Sequence, residues 1–117
     1  MSDTTKGLPQ DVISIDMWVA ADWKAKPEVL ANYAKSKYWQ VRAETAANPA
    51  TPSDSRRMLL NDPVPDVRAM ALDSPKTTLA EISLMLNDNE ALIANPKDTV
   101  RQSAMRALER LKKNLRG

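Results

Sequence analysis

An internal repeat with a period of 26 residues constrains the fold of this chain more than any other feature of its sequence. When residues 37–62 are aligned with residues 63–88 without a gap, eight positions are identical. They are Val41/Val67, Arg42/Arg68, Ala43/Ala69, Pro49/Pro75, Thr51/Thr77, Leu60/Leu86, Asn61/Asn87 and Asp62/Asp88. A period of roughly 20–50 residues is typical of proteins built from stacked supersecondary units. The sequence therefore predicts an array of short units that bury their apolar faces against one another.

Prolines indicate where the helices of these units end. The dipeptides in question are Asn48-Pro49, Ser74-Pro75 and Asn95-Pro96. The residue before a proline is disfavoured in the α region, so a helix tends to stop there. Two residues after the prolines stand Thr51, Thr77 and Asp98, which we predict to be N-caps of the next helices. Thr78 and Glu81 offer a capping box as an alternative start one residue later.

The spacing of apolar residues then predicts an all-helical chain. We expect helices near residues 12–22, 27–36, 39–47, 52–61, 65–73, 78–87, 89–94 and 99–116. The side chains expected in the core are Val41, Val67, Leu60, Leu86, Leu72 and Ile82. We expect residues 1–10 to be a flexible lead and residues 11–117 to be one domain, divided into an N-terminal cap (11–36), two repeats (37–62 and 63–88) and a shortened third repeat with a C-terminal capping helix (89–117).

The composition excludes several kinds of chemistry. The chain has no cysteine and no histidine, so it cannot form disulfides or thiolate metal sites, and it lacks the commonest general base. It contains no glycine-rich nucleotide motif and no nucleophile elbow. Its N-terminus lacks the pattern of a signal peptide, and no apolar run approaches the roughly 20 residues that span a bilayer. We therefore predict a cytoplasmic protein that is not an enzyme and has no membrane span.

Two segments carry a family resemblance. Residues 41–52 and 61–69 resemble the leucine-rich repeat variant family and, more loosely, HEAT-like α-solenoids, over about residues 37–110. The resemblance implies a right-handed superhelix of alternating α and 3₁₀ or short α helices without strands. The founding member of the family has a cysteine-ligated iron–sulfur cluster before its repeats. Because this chain has no cysteine, that cofactor does not carry over, and we expect none.

Arg42 and Arg68 occupy equivalent positions in the two repeats. Arginines at such positions usually serve packing between repeats, with Asp62, Asp66 and Asp88 as candidate partners, and we favour this interpretation. Alternatively, the two arginines line a groove that binds phosphates or acidic side chains.

All five aromatic residues lie between positions 18 and 39. They are Trp18, Trp23, Tyr33, Tyr38 and Trp39. We expect most of them to fill the core of the N-terminal cap, with one tryptophan partly exposed. The alternative is an exposed anchor for a partner, since Trp and Tyr dominate interface hot spots, and Trp39 is the candidate.

The C-terminal helix concentrates positive charge. Residues 97–117 contain seven cations and two anions, whereas the whole chain has a net charge of only +2. The candidate binding residues here are Arg101, Arg106, Arg110, Lys112, Lys113 and Arg116. They are predicted to lie opposite an apolar face that includes Leu108, Leu111 and Leu115. This surface is either a solvated cap of the stack or a basic patch for nucleic acid, an acidic protein or an anionic membrane.

Taken together, these features favour a non-catalytic scaffold that binds another macromolecule, most plausibly a protein, through its concave face. The alternative is a nucleic-acid-binding solenoid that contacts phosphates through Arg42, Arg68 and the C-terminal cations. The sequence indicates neither the identity of a partner nor the oligomeric state.

Overall fold

The computed structural model describes residues 11–88 and 99–115, with only the backbone described at residues 86–88. All regular structure in these ranges is α-helical, which confirms the predicted fold class. The helices are α1 (Val12–Ala20), α2 (Pro27–Tyr33), α3 (Trp39–Ala47), α4 (Ser53–Leu60), α5 (Pro65–Asp73), α6 (Leu79–Asp88) and α7 (Thr99–Leu115). The predicted helix near residues 89–94 lies outside the described ranges.

The helix boundaries follow the sequence period and extend it toward the N-terminus. Helices α3 and α5 begin and end 26 residues apart, at 39–47 and 65–73. The second helices of the units, α2, α4 and α6, begin at residues 27, 53 and 79, again in steps of 26. Helices α1 and α2 thus stand in nearly the same register as the pairs that follow, although their residues share little identity with them.

The helices pack in two layers. One layer is the odd row, in which α1 contacts α3, α3 contacts α5, and α5 contacts α7. In the other layer, α2 packs against α1 and α3, α4 against α3 and α5, and α6 against α7. The structure measures 53 × 31 × 22 Å along its principal axes, so it is elongated in the way that stacking in a row produces.

The core lies between the layers and between successive members of the odd row. Val41 and Val67 are fully buried at equivalent positions, as are Ala46 and Leu72. Each buried Val or Leu side chain contributes about 1.5–3 kcal/mol relative to an exposed one. The core prediction is confirmed for Val41, Leu60, Val67, Leu72 and Ile82. The side chain of Leu86 lies outside the described part of the structure.

The predicted N-caps Thr51 and Thr77 are wrong. The hydroxyl of Thr51 donates to the carbonyl oxygen of Thr45 at 2.6 Å, and that of Thr77 donates to the carbonyl of Ala71 at the same distance. Both threonines are buried. They therefore satisfy carbonyls in the last turn of the preceding helix, where four carbonyls have no intrahelical partner.

The alternative start of α6 is the one observed. The backbone N–H of Glu81 donates to Thr78 Oγ1 at 3.2 Å, and the backbone N–H of Thr78 donates to Glu81 Oε1 at 2.8 Å. This reciprocal pair is a capping box. The predicted N-cap Asp98 lies outside the described residues.

The prediction that most aromatic residues fill the core is wrong. Trp18, Trp23 and Trp39 are 59%, 72% and 40% exposed, and both tyrosines are half-buried. The interior between α1, α2 and α3 is instead filled by smaller side chains at full burial, namely Ala20, Leu30 and Val41. Because these smaller side chains already form the buried interior, the tryptophans lie at the surface.

Candidate functional site

Arg42 forms an ion pair within the stack. Its Nε lies 2.8 Å from Asp62 Oδ2 and its Nη2 lies 3.2 Å from Asp62 Oδ1, so the contact is bidentate. Its Nη1 also donates to the carbonyl of Ser36 at 2.7 Å. The Asp62 side chain is only 6% exposed. The pairing of Arg42 with Asp62 that the sequence favoured is therefore present.

Arg68 takes part in an equivalent backbone contact. Its Nη1 donates to the carbonyl of Asp62 at 2.7 Å, just as Arg42 donates to Ser36, 26 residues earlier. Asp62 thus binds Arg42 through its carboxylate and Arg68 through its carbonyl. The Nε of Arg68 is buried and has no hydrogen-bond partner. Both arginines point toward the turns that precede α3 and α5, which is a structural role.

Two cations of α7 bind the C-terminal end of α5. Arg106 Nη2 lies 3.1 Å from Asp73 Oδ2 and 2.9 Å from Ser103 Oγ. Arg110 donates to the carbonyl oxygens of Asp73 at 3.4 Å and Ser74 at 3.1 Å. A cation at the carbonyl end of a helix is favourable because the helix dipole is negative there. The prediction that the α7 cations are turned away from the stack is therefore wrong for Arg110, which is half-buried against α5.

The other described cations of α7 differ in their exposure to solvent. Lys112 lies 3.6 Å from Glu109 and both are exposed, Lys113 is exposed, and Arg101 is half-buried. Leu108 and Leu111 pack against the core as predicted, but Leu115 is 78% exposed, so its predicted place in the stack is wrong. Arg116 lies outside the described residues.

The most promising site is a cleft on the odd row. It has a volume of about 380 Å³, and every residue that lines it belongs to α1, α3, α5 or α7. The lining residues are Met17, Trp39, Gln40, Ala43, Glu44, Asp66, Ala69, Met70, Asp73, Thr99, Ser103 and Arg106. The cleft crosses four successive helices of the odd row, so its shape depends on how they stack.

The cleft combines an apolar surface with a negative rim. Ala43, Ala69 and Met70 contribute apolar atoms from α3 and α5, and Trp39 stands at the start of α3. The charged side chains are three carboxylates, Glu44, Asp66 and Asp73, and one guanidinium, Arg106. Since Arg106 is bound to Asp73, the charge left for a ligand to meet is that of Glu44 and Asp66. Such a surface suits a ligand with apolar and cationic groups.

Comparison with known proteins identifies the segment that contributes α3 to the cleft. Residues 39–64 match the leucine rich repeat variant family model. The matched segment is one repeat unit, comprising α3, α4 and the turn that leads to α5. It lies within the range over which the sequence predicted this family, and the prediction is confirmed there. No curated protein and no solved structure matches the chain.

The matched segment supplies four of the twelve residues that line the cleft, and only one of these, Trp39, was a predicted site residue. The others are Gln40, Ala43 and Glu44. Their counterparts 26 residues later, at positions 66, 69 and 70, line the cleft as well. The sequence could therefore have indicated this cleft. Positions that are equivalent in successive repeats and lie beside core positions face the same surface of the odd row. Of the predicted site residues that the structure describes, Trp39 and Arg106 are the two that line this cleft.

A second polar cluster joins the matched segment to α6. Arg56 is only 3% exposed. It stands at the position where the neighbouring units have the fully buried apolar residues Leu30 and Ile82. Arg56 and Arg57 both bind the carboxylate of Glu81, Arg57 at 2.9 Å. An arginine thus occupies a core position, and Glu81 supplies the charge that makes its burial tolerable.

This cluster lowers the pKa of Glu81 to about 2 from its ordinary value near 4.5. Burial by itself raises the pKa of Glu81, but the hydrogen bonds to its carboxylate lower the pKa by more. The largest of these contributions comes from the backbone N–H of Thr78, followed by those from Arg56, Arg57 and the Thr78 hydroxyl. Because each of these donors favours the ionised carboxylate, Glu81 is charged at neutral pH.

No group of three or more carboxylates in the described part of the chain is arranged to hold a metal ion. In the same residues, no helix is long and apolar enough to cross a membrane.

Proposed function

We propose that this protein is a non-catalytic helical-repeat module that binds a segment of another protein in the cleft of the odd row. The segment has apolar side chains that contact Ala43, Ala69 and Met70, and cationic side chains that face Glu44 and Asp66. The observation that supports this most is the combination of apolar surface and unpaired carboxylates in one cleft that crosses several repeats.

The electrostatics of the cleft favour a basic ligand. Neither Glu44 nor Asp66 forms an ion pair with another described residue, whereas Asp73 is neutralised by Arg106. Complementary charge increases the rate of association and disfavours acidic partners. A Lys or Arg of a ligand in the cleft can therefore pair with Glu44 or with Asp66, both of which line it.

Trp39 provides an anchoring surface at one end of the cleft. Its side chain is 40% exposed although it starts a helix of the odd row. Trp is among the residues most enriched at interface hot spots, because its large ring buries much area at little entropic cost. We assign Trp39 the role of packing against an apolar side chain of the ligand.

The cleft is also built on rigid elements. Its lining residues stand on helices that are joined by partly buried contacts such as Arg42 with Asp62 and Arg110 with the end of α5. A preformed site loses less conformational entropy on binding than a mobile one. This supports a binding role for the cleft.

A nucleic-acid ligand fits the charges less well. Arg42 and Arg68, which that alternative requires, bind Ser36, Asp62 and the turns between repeats, and Arg106 and Arg110 bind the end of α5. The cleft itself is negative and would repel a phosphate backbone. Lys112 and Lys113 remain exposed, and a salt-dependent gel shift with DNA and RNA distinguishes the two ligand classes.

A pull-down with a charge-reversed cleft tests the proposal. The variant combines Glu44→Lys and Asp66→Lys, and the matched control combines Glu28→Lys and Asp54→Lys, two acidic residues in first helical turns outside the cleft. We expect the cleft variant to lose proteins that both the wild type and the control retain, with all three showing the same helical circular dichroism. Identical sets of bound proteins for the cleft variant and the wild type would refute the proposal.

A further inference from the structure

The surface that contains the cleft continues along α7 beyond the cleft itself. Residues that recur at alternating spacings of four and three lie on one stripe of a helix. On α7 such a stripe consists of Thr99, Ser103, Arg106, Arg110 and Lys113. The first three of these line the cleft, and the last three line a second cavity of about 500 Å³. The two cavities therefore adjoin at Arg106, which they share.

The second cavity offers positive charge to a ligand. Arg110 donates to the backbone carbonyl oxygens of Asp73 and Ser74, at 3.4 and 3.1 Å, and pairs with no carboxylate of a described residue. Lys113 is exposed and likewise has no ion-pair partner among the described residues. Glu109 also lines this cavity, but its carboxylate lies 3.6 Å from a lysine ammonium. The charges left for a ligand to meet are thus those of Arg110 and Lys113.

The continuous surface formed by the two cavities has opposite charges at its two ends. The unpaired carboxylates Glu44 and Asp66 line the cleft, and the unpaired cations lie beyond Arg106. Arg106 itself is bound to Asp73 at 3.1 Å, so the charges at the junction of the cavities cancel. Lys113 follows Arg106 by seven residues, which corresponds to about 10 Å along a helix. A ligand that extends over this distance meets negative charge at one end and positive charge at the other.

We propose that the segment bound in the cleft is bipolar. Its cationic side chains face Glu44 and Asp66, and acidic side chains about two helical turns further along it pair with Arg110 and Lys113. This inference rests on the proposed function and adds an acidic part to the ligand. Such a ligand is held in one direction, because the reverse direction places like charges next to each other.

The acidic part of the ligand contributes selectivity rather than most of the affinity. An exposed ion pair changes an affinity by roughly 1.5- to 5-fold, so two pairs change it by about 2- to 25-fold. That is too little to hold an acidic segment by itself. It is enough to distinguish between basic segments that already occupy the cleft.

Isothermal titration calorimetry with two helical peptides of equal length tests this inference. Both contain the same basic amphipathic block, and two turns further along one has two glutamates where the other has two glutamines. A second pair of peptides places these variable positions before the basic block, which tests the other direction. We expect the glutamate peptide of one pair to bind the wild type about 2- to 25-fold more tightly than its glutamine counterpart.

Charge reversal on α7 identifies the side chains responsible. Lys113→Glu should abolish or reverse the preference for the glutamate peptide. The matched control is Lys24→Glu, which makes the same charge change at an exposed lysine outside both cavities and should keep the preference. Circular dichroism verifies the folding of both variants, and the comparison of peptides on the wild type needs no variant.

The outcomes separate this inference from the proposed function. If no peptide binds the wild type, the proposed function is wrong and the inference with it. If glutamate and glutamine peptides bind equally in both pairs, or if Lys113→Glu keeps the preference, the bipolar ligand alone is overturned and the cleft remains a site for basic segments. An acidic block that binds by itself as tightly as the whole glutamate peptide would overturn both.

Discussion

The Thr77 hydroxyl repeats the buried hydrogen bond of Thr51 at a distance of 26 residues along the chain. Thr51 donates to the carbonyl of Thr45, and Thr77 to that of Ala71, in both cases at 2.6 Å and six residues back. The same carbonyls also accept the backbone N–H of Asn48 and Ser74. Each threonine therefore stabilises the turn by which the chain leaves a helix of the odd row and enters the layer formed by α2, α4 and α6.

Replacement of Thr77 by valine should destabilise the protein by about 1 kcal/mol, because a buried hydrogen bond is lost while the side chain keeps its shape. Thr77→Ser, which keeps the hydroxyl, is the control for the role of this bond. Urea denaturation followed by circular dichroism measures both variants. If Thr77→Val and wild type unfold at the same urea concentration, the hydrogen bond does not stabilise the turn.

Glu81 should make stability depend on pH in the acid range. Its pKa in the folded protein is about 2, below its ordinary value near 4.5. The folded state therefore binds this proton less readily than the unfolded state, so Glu81 stabilises the fold fully above about pH 4.5. That contribution is lost as the pH falls from there toward 2.

The free energy of unfolding of wild type and Glu81→Gln, measured between pH 2 and pH 7, tests this expectation. We expect the variant to be less stable at pH 7, because Arg56 is then buried without its partner, and the difference should shrink toward pH 2. Glu109→Gln is the control, since Glu109 is exposed and lies 3.6 Å from an equally exposed Lys112. A difference between wild type and Glu81→Gln that is constant across this range would contradict the assigned pKa.

Much of the fold could be predicted from the sequence, because the 26-residue period repeats the same local signals for helix starts and ends. Helices α3 and α5 have the predicted bounds, because prolines and apolar spacing act within each segment. The register of α1 and α2 was harder to read, since Ile15 shares only its apolar character with Val41 and Val67, and Leu30 stands where the next unit has Arg56. The threonines at the turns were assigned to the wrong helix, because an N-cap and a donor to the preceding helix occupy neighbouring positions in sequence.

Features that depend on the stack as a whole could not be predicted in the same way. Arg56 stands where Leu30 and Ile82 are buried, and only the arrival of Glu81 from the next unit explains its burial. The exposure of Trp18 depends on which side of α1 has a neighbour. The cleft likewise arises from α1, α3, α5 and α7 together, so no single repeat contains it.

Nuclear magnetic resonance titration of the isotopically labelled protein with a lysine-rich amphipathic helical peptide tests the central claim most directly. The cleft account predicts concentration-dependent shifts of the Trp39 indole N–H and of the backbone amides of Ala43, Ala69 and Met70, and weaker shifts in the Glu44→Lys, Asp66→Lys variant. A glutamate-rich peptide of the same length should leave these signals in place. Unchanged cleft signals with the basic peptide, or shifts confined to α7 with the acidic one, would contradict it.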